Sequence, residues 1–253
     1  NLVKLIEKGL IEKNRVIVHC MHISKLGRTI PSINQIHDLR ERFQNKIDIV
    51  IDACQGRISP QKINQYLSLG ASVLYTGSKF ISGPPFSGAL FVDSKLKNRL
   101  EKNFNFPQEF SKYFSLEEWP EKWHKMIKSK TGNILNFGLL YRWYSALYEL
   151  KKFSKIELQK AKIITECFRL QVAHMLDNSN IFSSFNKSQL NSNNFDDHPF
   201  DFITLFVLDI NCDDLDDTLT FSKHLHKLLG QDLSSMPTFN LGKNNHFLRN
   251  KIN

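Results

Sequence analysis

Cysteine is scarce in this chain. There are four in 253 residues (Cys20, Cys54, Cys167 and Cys212), and none forms a Cys-x-x-Cys pair. That spacing argues against a disulfide scaffold and a zinc ribbon, and it fits a reducing compartment, so a cytoplasmic location is expected. No run of about 18 apolar residues exists, which excludes a membrane-spanning helix. The first residues lack a basic-then-apolar leader, so no signal peptide is expected. No internal repeat is found. His224 and His226 sit two apart on an expected helix and fall on different faces, which argues against a metal site. The 34 Lys and Arg exceed the 25 Asp and Glu, for a net charge of +9. A basic excess raises the question of nucleic acid. Here the basic residues are spread along the whole chain, with no basic helix and no aromatic stacking platform, so nucleic acid is not an expected partner.

What is present is the composition of a folded domain. Hydrophobic residues make up 41% and charged residues 23%, which excludes disorder and fibrous repeats. A chain of this length buries about 70–75% of its unfolded surface and suits one large domain or two modest ones. Helical and extended periods alternate over the first 95 residues. Leu2 to Leu10 is helical in pattern. The runs from Arg15 to Cys20 and from Asp48 to Asp52 read as buried strands. Pro31 to Phe43 reads as a helix entered through proline, and Pro60 to Leu69 as a helix ended by Gly70. Ala71 to Thr76 and Gly88 to Val92 read as strands.

Strands spaced by helical crossovers imply an α/β fold with a mostly parallel sheet. Asn133 to about Leu176 is helical in pattern with a bend near Ser154, and the stripe Phe137, Tyr141, Tyr144 and Tyr148 reads as core packing. Asn178 to His198 reads as a loop, Phe200 to Ile210 as a strand, and Thr218 to Leu229 as a helix ended by Gly230. Two units are expected: a large one over residues 1–154 and a small carboxyl-terminal α+β one over 155–253.

Ligands of open α/β sheets sit beyond the carboxyl ends of the strands. That rule selects Asp52-Ala-Cys54-Gln55, Thr76-Gly-Ser78-Lys79 and the stiff Gly83-Pro-Pro-Phe-Ser-Gly88 turn, with Ser24 in the loop after the first strand. A carboxylate at a buried strand end needs a partner, and a cationic heteroaromatic nitrogen is a good one. A partly desolvated lysine in the neighbouring turn is expected to have a lowered pKa and to act as an amine nucleophile. An amine that condenses with an aldehyde, facing an acid that holds a pyridinium, is what a protein supplies to pyridoxal phosphate. The hydroxyls of Thr76 and Ser78 suit a phosphate.

Asp52-x-x-Gln55, then Ser/Thr-x-x-Lys79 and a Gly-Pro-x-x-Gly turn, resembles the class V aminotransferases of fold type I. The resemblance is sharpest from Val16 to Val92. It implies that Lys79 is the Schiff-base lysine, Asp52 the partner of the pyridine nitrogen, and Gln55 and Ser24 neighbours of the ring. It further implies that Thr76 and Ser78 reach the phosphate, that Thr131 crosses to a second subunit's phosphate, and that Arg249 grips a substrate carboxylate. The cofactor so implied is pyridoxal 5'-phosphate, the assembly a homodimer and the substrate an amino acid or amine. Many family members carry histidine where Ser78 stands. The stretch 230–248 lacks the cysteine that cysteine desulfurases need before the late arginine. Amino transfer is therefore the expected reaction, with lyase chemistry or a degenerate, non-catalytic dimer subunit as alternatives. The family's amino-terminal portion has no counterpart here, so a fragment of a longer protein or a reduced homologue is expected. Plainer roles stand beside each of these: a surface lysine at 79, a helix cap for Asp52 and for Thr131, loop hydrogen bonding for Gln55 and Ser24, turn capping for Thr76 and Ser78, and a surface arginine at 249.

Overall fold

The computed structural model describes residues 2–24, 29–102, 105, 107–127, 135–179, 182–184 and 208–210. Its centre is a four-stranded sheet in the order β1-β2-β3-β4. The strands are β1 (Val16–Met21), β2 (Ile47–Ala53), β3 (Ala71–Thr76) and β4 (Gly88–Phe91). The first three are parallel and β4 runs antiparallel to β3. The α/β class and the mostly parallel sheet are thus present. Helix α1 (Leu2–Glu12) precedes the sheet, α2 (Ile33–Phe43) joins β1 to β2, and α3 (Pro60–Ser68) joins β2 to β3.

Strict alternation in β2 builds the core. Ile47, Ile49, Ile51 and Ala53 are buried, while Asp48, Val50 and Asp52 on the opposite face are half-buried. The register aligns Val18 with Ile49 and Ile49 with Ala71, and the buried row continues through Cys20, Val73 and Tyr75. Ile6 of α1, Ile36, Leu39 and Phe43 of α2, and Tyr66 of α3 pack on that same row. Strands that step in one direction with crossovers of one hand place both crossover helices on one side. The strand read as buried over 15–20 is buried on one face only: its second face is open, where Ile17 is 69% exposed and His19 and Met21 are also exposed.

The helix ends are set by local chemistry. Ser32 caps α2 in a box with Gln35, and Pro31 lies just outside it. Ser59 caps α3, Pro60 begins it, and Gly70 at φ +69° ends it, as expected. The Arg40 guanidinium donates to the carbonyls of Leu69 (2.9 Å), Gln44 (2.7 Å), Ile47 (3.0 Å) and Gly70 (2.9 Å). It latches the carboxyl ends of α2 and α3 to the start of β2.

After β4 come α4 (Ser94–Lys102), three short 3-10 turns and α5 (His124–Ile127). The long helical stretch is two helices, α6 (Phe137–Phe153) and α7 (Leu158–Asp177), with Ser154 at the carboxyl cap of the first. The aromatic stripe expected in the core is on the surface: Phe137, Tyr141, Tyr144 and Tyr148 are each more than half exposed. α6 is apolar on most of its circumference, so periodicity alone does not choose the buried side. Contact with the sheet chooses Trp143, Ala146 and Leu150.

Strands β5 (Phe182–Ser184) and β6 (Leu208–Ile210) pair antiparallel. β5 falls in the stretch read as loop, and β6 is the end of the strand expected over 200–210. The helix expected at 218–229 and the rest of the carboxyl-terminal unit lie outside the described residues. Among the described residues, no helix is long and apolar enough to cross a membrane.

Candidate functional site

The site forms where β2 and β3 end side by side. Asp52 is the sixth position of β2, with Met21 of β1 and Leu74 of β3 as its register partners. Its side chain stands on the open face of the sheet. Asp48 stands on the same row at the opposite end, where Arg15 (3.2 Å) and Arg99 both pair with it. Among the described residues Asp52 has no such cation. One of its oxygens accepts the Cys54 backbone N–H at 3.0 Å. This is a turn closed by an aspartate, not the helix cap that was the plainer alternative, because the residues that follow form turn and loop and α3 begins only at Pro60.

The chain then doubles back to β3. Gly56, at φ +73°, donates its N–H to Ala53 O (2.9 Å). A Cβ there would lie 3.2 Å from the Thr76 carbonyl, so both the positive φ and the close approach call for glycine. The Gln55 carbonyl accepts the Phe80 N–H at 3.2 Å. That bond ties the Asp52–Gln55 loop to the turn that carries Lys79. Gln55 thus contributes its backbone, and its side chain is half-buried beside the turn.

The Lys79 turn is held by glycines and hydroxyls. The Thr76 hydroxyl donates to Ser87 O (3.1 Å), and it accepts from the Ser78 N–H (3.2 Å) and from the Ser78 hydroxyl (2.8 Å). A hydroxyl has one proton to give, so in this arrangement both groups cap the turn. Gly83 N–H closes on Gly77 O at 2.9 Å, and Ser82 N–H on Lys79 O at 3.0 Å. Lys79 itself is exposed. The desolvation expected of it is not met.

Ser24 follows β1, whose end is joined to β2 by His22 N–H donating to Asp52 O at 2.9 Å. Ser24 is half-buried. The residue before it, Ile23, is buried at φ +51° and donates its N–H to the Thr29 hydroxyl. A β-branched residue at positive φ is a real outlier, and such strain concentrates at functional loops. His22 turns away from the strand ends toward α3. Its Nδ1 lies 3.0 Å from the Tyr66 hydroxyl, with the rings edge-to-face. Thr131 and Arg249 lie outside the described residues.

Two residues were not singled out from the sequence. The Cys54 thiol is raised from 9.0 to about 11, first by burial, then by its hydrogen bond to Asp52 and by that carboxylate's charge, while the charge of Lys79 pulls it back. The acid, the thiol and the amine therefore share one electrostatic environment. The Asp52-Ala-Cys54-Gln55 run is the sequence signal that places the thiol here. Arg57 lies over the Phe80 ring at 5.6 Å, its pKa lowered by burial. No family model, no curated protein and no solved structure matches the chain.

Proposed function

We propose that this chain is the pyridoxal-phosphate-binding part of an enzyme that acts on an amino acid or amine, with amino transfer as the leading reaction. The observation that carries the reading is the Gln55–Phe80 backbone bond, which sets the Asp52 loop against the Lys79 turn at adjoining strand ends. The donor set suits the cofactor: a carboxylate with no cation paired to it among the described residues, an exposed amine on the neighbouring turn, and the hydroxyls of Thr76 and Ser78 beside it. When bound, the group supplies an aldehyde for condensation with amines and a conjugated ring that draws electrons from the substrate's Cα. Asp52 would accept a hydrogen bond from a protonated ring nitrogen and hold that proton in place. Lys79 would supply the amine that condenses with the aldehyde and would move a proton at the substrate's Cα. Thr76 and Ser78 would hold the phosphate through their hydroxyls.

Borohydride reduction of the purified protein with added pyridoxal phosphate, followed by peptide mass mapping, tests this. An adduct confined to Lys79, and abolished in Lys79→Ala, is the expected result. Adducts scattered over surface lysines overturn it. A second reading, a degenerate subunit without catalysis, is favoured by the internal pairing of Thr76 with Ser78 and by the exposure of Lys79. It predicts a colourless dimer that gives no Lys79 adduct.

A further inference from the structure

We infer that Ala146 of α6 is a positioning residue for Lys79, a role that rests on the function proposed above. The Lys79 side chain is exposed and takes part in no hydrogen bond among the described residues. Its amine is therefore placed by its backbone alone. That backbone is a loop closed by Gly83 N–H on Gly77 O, and α6 lies directly against the closure.

A Cβ added at Gly77 or at Gly83 would stand 2.6 Å from the Cβ of Ala146. The glycines and the alanine are thus the three small residues that allow helix and turn to meet. The same helix face grips the turn at both ends. The Trp143 indole N–H donates to Gly88 O at 3.1 Å, and its ring stacks on Tyr75. Phe153 packs edge-to-face on Phe80, the residue after the lysine, at 5.9 Å between ring centres. Residues 143, 146 and 153 recur at helical spacing, so one rigid element spans the turn from Phe80 to Gly88. Extra bulk at 146 has no void to enter and must push the turn off the helix.

The test is an Ala146 series on the full chain, with pyridoxal phosphate and borohydride as the probe and peptide mapping as the readout. Ala146→Val is expected to lower Lys79 labelling at a fixed probe concentration at least tenfold while the far-ultraviolet spectrum stays native. Ala146→Gly, which weakens the helix but adds no bulk, is expected to label within about twofold of the parent chain. Leu147→Ala, on the exposed side of α6, is expected to do the same. Loss of labelling is thereby separated from loss of stability, which a merely structural role would not do. Hydrogen exchange at the Gly83 amide supplies a readout free of the cofactor: it is expected to speed up at least tenfold in Ala146→Val.

If the valine variant does not fold, Ala146→Ser takes its place, with about a threefold loss of labelling expected. A folded valine or serine variant that labels like the parent, or an unchanged Gly83 exchange rate, overturns the role of Ala146. A parent chain that fails to label at Lys79 overturns the proposed function instead. The exchange measurement then still decides whether α6 holds the turn.

Discussion

Exchanging Asp52 for asparagine is expected to quicken the alkylation of Cys54 at pH 8 by about three- to fourfold. The thiol stands at about 11, so about one molecule in a thousand carries the thiolate at that pH. Burial is the largest cause and survives the exchange. The hydrogen bond to the carboxylate and the carboxylate's charge do not. Removing a neighbouring charge of this kind lowers the pKa by about one unit, which multiplies the thiolate fraction about tenfold. The thiolate so formed is intrinsically less nucleophilic by a factor of about three, because nucleophilicity falls with basicity. The net gain is the three- to fourfold stated. Asparagine keeps an oxygen for the Cys54 N–H, so the turn stays closed and the change is electrostatic.

Lys79→Met carries the opposite sign. The lysine charge pulls the thiol down, so its removal is expected to slow Cys54. The assay is iodoacetamide labelling at timed intervals with peptide mapping, and the exposed Cys167 serves as the internal reference. A rate unchanged or slower in Asp52→Asn, or faster in Lys79→Met, refutes the claim that acid, thiol and amine share one site.

Two further outcomes concern stability. Arg40→Leu is expected to cost about 3 kcal/mol in urea unfolding without a change in slope, because it strands carbonyls at the end of α3 and the start of β2 that a charged donor now satisfies. A loss under about 1 kcal/mol would mean that water satisfies them equally well. Cys20 is 2% exposed, and burial raises its thiol from 9.0 to about 11. The folded state therefore holds that proton more tightly than the unfolded one. Its contribution to stability is complete below about pH 9 and is lost between 9 and 11. Urea midpoints measured across that window are expected to fall, and to fall less in Cys20→Val.

The elements legible in the sequence are those whose signals are local. Pro60, Ser59 and Gly70 bracket α3 by their own conformational preferences. The alternation in β2 fixes which residues face the core, and the order of strands and helices yields a mostly parallel sheet. Which side of an element is covered is not local. α6 has apolar residues nearly all round, and the face that packs is the one opposite Gly77 and Gly83, which lie far back in the chain. The open face of β1 has the same origin: Ile17 and Val18 read alike in sequence, and only the side taken by α1, α2 and α3 separates them. At the candidate site the residue types were legible, and so was their sharing of strand ends. The hydrogen-bond partners were not. Thr76 and Ser78 look like two free donors until the Ser87 carbonyl, brought across by the β3–β4 pairing, takes one of their protons.

The two carboxylates of β2 show how one strand serves two purposes. Asp48 and Asp52 sit on the same row, four residues apart, and would be equivalent in an isolated strand. At the amino end Arg15 and Arg99 converge on Asp48, while Arg40 gathers the helix ends close by. There the carboxylate is paired with two guanidinium groups. At the carboxyl end an Asp52 oxygen accepts the Cys54 backbone N–H, and an exposed amine stands on the next turn. The arginine and cysteine perturbations should therefore separate: loss of Arg40 lowers the unfolding midpoint and leaves Cys54 reactivity in the folded state unchanged, whereas Asp52→Asn changes that reactivity with little effect on the midpoint.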